Sequence, residues 1–429
     1  MRKNLAEEND MIYEFSFSNF RSYKNEASID FTAKPILEFE RSLISTNSDI
    51  SLLPVCAIYG PNGGGKSGVL MALHALRNIV IAPLVQMAFM KKKNEQLAET
   101  TLRHLQEGIV ESYTVPAYYK WNDEGKNIPT KYSILFQVEN CKYRYEIALC
   151  SDTIEEENLY FETEDRDVEA VFERDAEGVY LCRELDGLDI DNMNESLPLL
   201  SYISMFKNIE LVDRALQFFF QMQVMNFDKP RQDRRILVEQ LEKDKTRILN
   251  VIQSMGIDIC DMRIEYEDDG TIQEIYTKHQ LSDGTIKELC LYEESSGTRK
   301  IVSIIPFILK GIDRGCLFVI DELDAKLHPS LLKKIIELFT DKETNQNAAQ
   351  MLFTSHDLTT MSNEVFRRDE IWFSAINGYD ESVLYSLVDF RKENGSKPRN
   401  DENYSKQYLE GRYGADPYMR RIKNWEVVD

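Results

Sequence analysis

The sequence predicts an α/β fold. A mainly parallel sheet should carry a phosphate loop at its C-terminal edge, with an antiparallel β lobe and an inserted helical lobe beside it. Three observations predict this. Gly60-Pro61-Asn62-Gly63-Gly64-Gly65-Lys66-Ser67 matches G-x-x-x-x-G-K-[ST]. An apolar run (Leu52, Leu53, Val55, Ala57, Ile58, Tyr59) leads in, and a helix over 68–77 leads out with Val69, Leu70, Leu73 and Leu76 on one face. Residues 316–322, CLFVIDE, read as a buried parallel strand ending in two carboxylates. Residues 351–357, MLFTSHD, read as another short apolar strand, ending in hydroxyls and a histidine.

The remaining elements follow from periodicity. Residues 11–35 alternate through Ile12, Phe15, Phe17, Ile29 and Phe31, which predicts an antiparallel pair ahead of the loop. The stretch 85–130 reads as helical, with a polar segment near 91–108. From 131 to 182 the alternation of Ile134, Phe136 and Val138, then Tyr143, Tyr145, Ile147 and Leu149, predicts a meander. Residues 198–256 switch to a helical period, with Pro230 between two apolar stripes. Sustained heptads are missing, so no long coiled coil is expected. Strands return at 262–266 and 274–279. The domain reading is 1–84 (β pair and phosphate-loop half), 85–285 (inserted region) and 286–429 (second half with C-terminal tail).

The motifs imply chemistry. A strand–loop–helix aims backbone N–H groups and a helix N-terminus at one spot, which favours an anion. Lys66 would reach the β- and γ-phosphates of ATP, and Ser67 would be a Mg²⁺ ligand. Asp321 would hold Mg²⁺ directly or through water, and Glu322 would orient and deprotonate an attacking water. His356 at a strand's C-terminal edge would sense or stabilise the γ-phosphate, beside Lys66 and Glu322 as the catalytic residues. Ser295, Ser296 and Gly297 open another helix, with Ile301, Val302, Ile304, Ile305, Ile308 and Leu309. In isolation that start is an ordinary N-cap. Beside a complete phosphate loop, it reads as the part that closes a second copy's site.

Together these residues resemble the ABC-type ATPases of the SMC/RecF/OLD branch. The Walker A is Gly60–Ser67 and the Walker B is 316–322. Ser295-Ser296-Gly297-Thr298 is similar to the LSGGQ signature. Asp324 matches the D-loop, and His356 the switch histidine. Residues 15–23, FSFSNFRSY, resemble the branch's opening motif, which implies that Arg21 lies near the nucleotide phosphates. Within the branch, the chain resembles RloA-like and AbiL-type ATP-binding proteins of phage-defence loci, a group that includes the AriA ATPase of PARIS. The tail, residues 408–417, resembles that group's C-terminal end. No Q-loop residue can be placed. Gln137 sits inside an alternating run and reads as structural.

Composition narrows the classes. Lys and Arg number 51 against 73 Asp and Glu, a net charge of −22. That is a poor global field for a nucleic-acid backbone, so nucleic acid is a possible but disfavoured partner. Lys91-Lys92-Lys93 and the basic run 229–235 are local exceptions. No run of 18 apolar residues occurs, so no membrane span is expected. The first residues lack an apolar signal core. Seven scattered cysteines without C-x-x-C spacing suit reduced thiols in the cytoplasm.

The resemblance implies an ATPase working as a head-to-tail dimer or higher oligomer. Its expected partners are an effector nuclease encoded nearby, of TOPRIM type or similar, and a phage-derived trigger. A RecF-type DNA-maintenance ATPase shares every motif. A self-contained OLD-type nuclease would need a further metal-carboxylate domain, for which roughly 70 residues after His356 are too few.

Overall fold

The computed structural model describes residues 10–91, 117–121, 125–151, 153–191, 193–226, 234–377, 379–391 and 395–415. The chain opens with β1 (Met11–Ser18), β2 (Ala27–Asp30), β3 (Ile44–Ser45), β4 (Ser51–Leu52), β5 (Val55–Tyr59) and α1 (Lys66–Lys91). Next come β6 (Thr130–Val138), β7 (Cys141–Cys150), β8 (Thr153–Glu162), β9 (Val168–Asp175) and β10 (Gly178–Leu181). Then follow α2 (Leu199–Phe206), α3 (Glu210–Gln221), β11 (Gln223–Asn226) and α4 (Arg234–Ser254). β12 (Asp261–Tyr266), β13 (Ile272–Gln280) and β14 (Ile286–Cys290) lead to α5 (Ser296–Asp313). The last elements are β15 (Leu317–Asp321), α6 (Pro329–Thr340), β16 (Gln350–Thr354), β17 (Ile371–Ile376), β18 (Ser382–Ser386) and α7 (Tyr404–Leu409).

Two large sheets form the body. The first is six-stranded, in the order β11-β15-β16-β5-β17-β18. Its strands are parallel except for the β17–β18 pair, which is antiparallel. The phosphate-loop strand therefore lies centrally, between β16 and β17. The second sheet is antiparallel and seven-stranded, in the order β10-β9-β8-β7-β6-β1-β2. A separate three-stranded sheet, β12-β13-β14, precedes α5.

Alternation along the parallel strands explains the layers. Cys56 and Ile58 of β5, with Leu317 and Val319 of β15, enter a core shared with α1 and the antiparallel sheet. Val55, Ala57 and Tyr59, with Phe318 and Ile320, enter a second core with α4, α5, α6 and α7. Helix α1 has the length and apolarity of a membrane span, but 61% of that apolar window is buried, in the first core. Pro83 lies inside it.

The buried amide of Gln350 ties the two sheets. Its Oε1 accepts the Ile12 N–H at 2.7 Å, and its Nε2 donates to the carbonyls of Ile12 (3.2 Å) and Leu53 (3.0 Å). The pairing of β1 with β6 shifts register between Ile12 and Glu14. The amide thus satisfies backbone groups beside a bulge, where leaving them unpaired would cost about 1–3 kcal/mol.

Several expectations need correction. The stretch 198–256 is not helical throughout, because β11 lies within it and pairs in parallel with β15. Its four residues are too few to show a period of their own. The helices there do not form one lobe: α2 and α3 join the first core and α4 the second. In 85–130, α1 ends at Lys91, residues 92–116 and 122–124 lie outside the described residues, and 125–127 form one short 3₁₀ turn. The basic run 229–235 and the tail from 416 lie mostly or wholly outside them too. The N-terminal β pair and the meander are one sheet, joined by β1 and β6. β14 extends the returning strands beyond 285.

Candidate phosphate-binding site

Strand β5 delivers the chain to Gly60, and α1 takes it up at Lys66. The loop between them is pressed against β17 and β18. A Cβ on Gly60 (φ 156°) would stand 2.0 Å from the Ser374 carbonyl oxygen. One on Gly65 (φ 101°) would stand 2.5 Å from Ser382 Oγ. Only glycine takes those conformations in that space. Four hydroxyls back the loop. Ser374 donates to the Gly64 carbonyl at 2.7 Å and lies 2.7 Å from the Tyr23 hydroxyl. Ser382 Oγ lies 3.0 Å from that same carbonyl and 2.7 Å from Ser22 Oγ. Tyr23 also reaches the Gly65 carbonyl at 3.3 Å.

Lys66 is 6% exposed, and its Nζ donates to the carbonyls of Gly60 (2.9 Å) and Pro61 (3.0 Å). Burial lowers its pKa below the ordinary lysine value, partly offset by Asp321, Asp324 and Glu322. Ser67 Oγ donates to Asp321 Oδ1 at 3.0 Å. Thr354 Oγ1 donates to the same oxygen at 2.6 Å. This hydroxyl in turn accepts the Glu322 N–H at 2.8 Å, while the Thr354 carbonyl accepts the Leu323 N–H at 3.1 Å. Glu322 is held there at φ 54°, a left-handed conformation that non-glycine residues rarely adopt. Asp324 Oδ1 accepts the His356 N–H at 3.1 Å.

The fold therefore gathers Gly60–Ser67, Asp321, Glu322, Asp324 and His356 at the C-terminal ends of β5, β15 and β16. Pro61, Asn62 and Gly63 form the loop's outer turn, with the Pro61 carbonyl accepting the Gly64 N–H at 3.0 Å. Arg21, at φ 52°, donates its N–H to the Ala117 carbonyl at 2.6 Å, and its guanidinium lies 5.9 Å from the Phe20 ring centroid. Ser22 and Tyr23, the next two residues, make the contacts with the loop and its support.

Ser295 and Gly297 behave differently. Ser295 caps α5, accepting the Thr298 N–H at 3.1 Å and lying 2.9 Å from the Thr298 hydroxyl. Ser295 and Ser296 are exposed. The hydrogen bonds of Ser295 are within its own turn, not to the chain's own phosphate loop. A Cβ on Gly297 would meet the Lys326 carbonyl at 3.9 Å, and Lys300 Nζ donates to the Ala325 carbonyl. The start of α5 thus rests on the segment that follows Asp324.

Sequence reasoning missed five supports. Tyr23 and Ser22 lay in the quoted 15–23 segment without a role, and Thr354 was one of the unassigned hydroxyls at a strand end. Ser374 and Ser382 carried only a weak signal: serines within strands. Gln137 is structural in β6: its Oε1 accepts from the Tyr13 hydroxyl at 2.8 Å and its Nε2 donates to the Glu139 carbonyl at 2.7 Å. Asn226 ends β11 in register with Asp321.

A triphosphate with Mg²⁺ fits this arrangement. Glycine at Gly60 and Gly65 lets the loop lie directly on Ser374 and Ser382, with no side chain of its own between them. The Lys66 ammonium is hydrogen-bonded to loop carbonyls, within reach of whatever the loop holds. A hydroxyl and a carboxylate 3.0 Å apart, Ser67 and Asp321, are hard oxygen donors of the kind Mg²⁺ prefers.

Residues 55–362 match the profile of a family described as "AAA domain, putative AbiEii toxin, Type IV TA system". The chain belongs to this AAA-domain family. The match runs from β5 through the segment beyond His356, so it takes in the loop, α5, β15 and β16. No curated protein matches the chain. Among solved structures it is similar to the SMC head domain from Thermotoga maritima, at 13% identity and TM-score 0.43, covering 88% of this chain and 98% of that one. It is also similar to an SMC head bound to the C-winged helix domain of ScpA, at 13% identity and TM-score 0.42, with 88% and 98% covered. A third is an SMC head with an extended coiled coil bound to the C-terminal domain of ScpA derived from Pyrococcus furiosus, at 13% identity and TM-score 0.36, with 88% and 96% covered.

Proposed function

We propose that this AAA-domain protein is an ATP-hydrolysing switch, working as a head-to-tail pair, that holds or releases a separate toxic effector in phage defence. The observation that carries the ATPase reading is the joining of Ser67 to Asp321 directly beneath a glycine cradle, with Glu322 one residue on. The exposed, self-capped start of α5 supports the pairing. The family description, with its putative toxin and toxin–antitoxin system, supports the defence context. The net charge of −22 favours a protein partner over a phosphate backbone.

In this reading Lys66 leaves the loop carbonyls for the β- and γ-phosphate oxygens. Ser67 and Asp321 would hold Mg²⁺, which when bound would offset phosphate charge. Glu322, fixed by its N–H to Thr354, takes a proton from the attacking water in line with the leaving oxygen. Asp324 holds the backbone of His356 at the end of β16, where its imidazole would sense or stabilise the γ-phosphate. Loss of that phosphate then opens the pair and changes its hold on the effector. The resemblance to RloA-like and AbiL-type proteins makes an effector nuclease encoded nearby the favoured partner and a phage product the trigger.

The test has two arms. The purified chain should release phosphate from ATP with Mg²⁺ and cleave neither DNA nor RNA. Expressed alone it should be harmless; with its neighbouring reading frames it should confer phage resistance that Lys66→Ala or Glu322→Gln abolishes. Metal-dependent cleavage by the chain alone, surviving both substitutions, overturns the switch reading. ATP-dependent binding of duplex DNA without phage resistance moves the protein to DNA maintenance.

A further inference from the structure

Glu294 is the residue immediately before the signature serine, and its side chain ties the three-stranded sheet to that serine's turn. Its carboxylate is nearly buried, with 8% of the side chain exposed. One oxygen, Oε1, accepts the Thr277 hydroxyl at 2.5 Å and lies 2.6 Å from His279 Nε2. Thr277 and His279 are two apart on β13, so one face of that strand presents both groups to one carboxylate. Thr277 is fully buried.

The turn between sheet and helix is closed at both ends. Cys290 ends β14, paired with Tyr276, and its N–H donates to Glu293 Oε2 at 3.0 Å. Arg299, in the first turn of α5, donates to the Tyr292 carbonyl at 2.9 Å. Backbone pairing, turn and carboxylate therefore make β12–β14 and the start of α5 one unit. A negative charge just outside the helix also suits the positive end of its dipole.

We propose that Glu294, held by Thr277 and His279, is a positioning residue for ATP hydrolysis in the partner copy: it fixes the direction in which Ser295 and the first N–H groups of α5 face the other chain's γ-phosphate. The inference rests on the head-to-tail reading above. Glu294 touches no nucleotide. It acts through Ser295, and its effect falls on the site that Ser295 enters, not on its own chain's phosphate loop.

Complementation between variants tests this. Glu294→Ala should leave ATP affinity of the single chain unchanged and lower kcat about 10-fold or more, with KM within about 2-fold. Glu294→Gln keeps an oxygen acceptor for Thr277 and should retain most of the activity. His279→Ala should follow Glu294→Ala, and His279→Gln should recover part of the loss. Mixed with Lys66→Ala chains, Glu294→Ala chains should regain activity, because one composite site is then whole. Mixed with Ser295→Arg chains they should not, because every site then carries a damaged helix start.

The outcomes separate the two readings. If Ser295→Arg and Lys66→Ala chains fail to rescue each other at any ratio, the head-to-tail reading falls and this inference with it. If those two rescue each other but Glu294→Ala is rescued by Ser295→Arg and not by Lys66→Ala, the head-to-tail reading stands and the positioning role is wrong. Equal loss of activity in Glu294→Gln and Glu294→Ala also overturns it.

Discussion

Two helix starts in this chain look alike as sequence, both rich in glycine and small hydroxyl residues, and the fold treats them in opposite ways. At Lys66 the loop is sealed from behind by Ser22, Tyr23, Ser374 and Ser382, from three segments outside it. Its lysine is buried, and its serine is bonded to a carboxylate across the sheet edge. At Ser295 the cap is made within its own turn, and both serines face outward. One N-terminus is finished by its own chain. The other is tied down through Glu294 and Lys300, with its first serines left exposed. A rigid but uncovered helix end is what a shared site requires, since ordering it at each encounter would oppose association.

The largest expected effect lies within the first region. Glu322→Gln keeps shape and hydrogen bonding but removes the base, so kcat should fall about 10³-fold with ATP affinity preserved. Parent-rate phosphate release in single-turnover measurements would remove Glu322 from the chemistry. Next come the two helix starts themselves. Lys66→Ala and Ser295→Arg should each reduce hydrolysis about 100-fold. Equilibrium binding to the isolated chain should separate them, being weakened by the first and untouched by the second. If Ser295→Arg weakens that binding as much, both starts serve one site and the contrast collapses.

A smaller effect probes the hidden supports. Ser374→Ala removes the shorter of two hydrogen bonds from both the Gly64 carbonyl and the Tyr23 hydroxyl, and should weaken ATP binding about 10-fold, with kcat nearly unchanged. No change would mean that the loop needs no backing from β17.

The smallest concerns stability. Burial depresses the Lys66 pKa, so charging this lysine opposes folding. That penalty is fully present below the folded pKa and fades as pH rises through it toward the ordinary lysine value. Lys66→Met should therefore raise the thermal midpoint of the nucleotide-free chain at neutral pH, less the loss of the two hydrogen bonds to the Gly60 and Pro61 carbonyls. The gap should narrow in alkali, and a lower midpoint for the variant at pH 7 would contradict it.

Legibility differed along the same lines. The phosphate loop, its strand and its helix were readable because glycine spacing, a short apolar run and a 3.6-residue stripe are all local patterns. The carboxylate pair at 321–322 was readable because a strand apolar on both faces must lie inside a sheet, so two charges at its end fall at the sheet's edge. β11 was not, since Gln223–Asn226 is too short for a period and its pairing with β15 is far off in sequence. The serines of β17 and β18 were not either: a serine in a strand carries no mark of the loop it will touch.

The phosphate loop, the acidic strand end, the capped start of α5 and the α/β alternation are legible locally, because each is written in residues within about one turn or strand of one another. Tertiary packing made the N-terminal strands and the meander one sheet, fastened it to the parallel sheet through Gln350, and let Thr354 join the Asp321 carboxylate to the Glu322 N–H. It also decided that one helix start is enclosed and the other is open. Register between distant strands is set by which buried backbone and side-chain groups find partners at once, and that condition belongs to the whole packed chain.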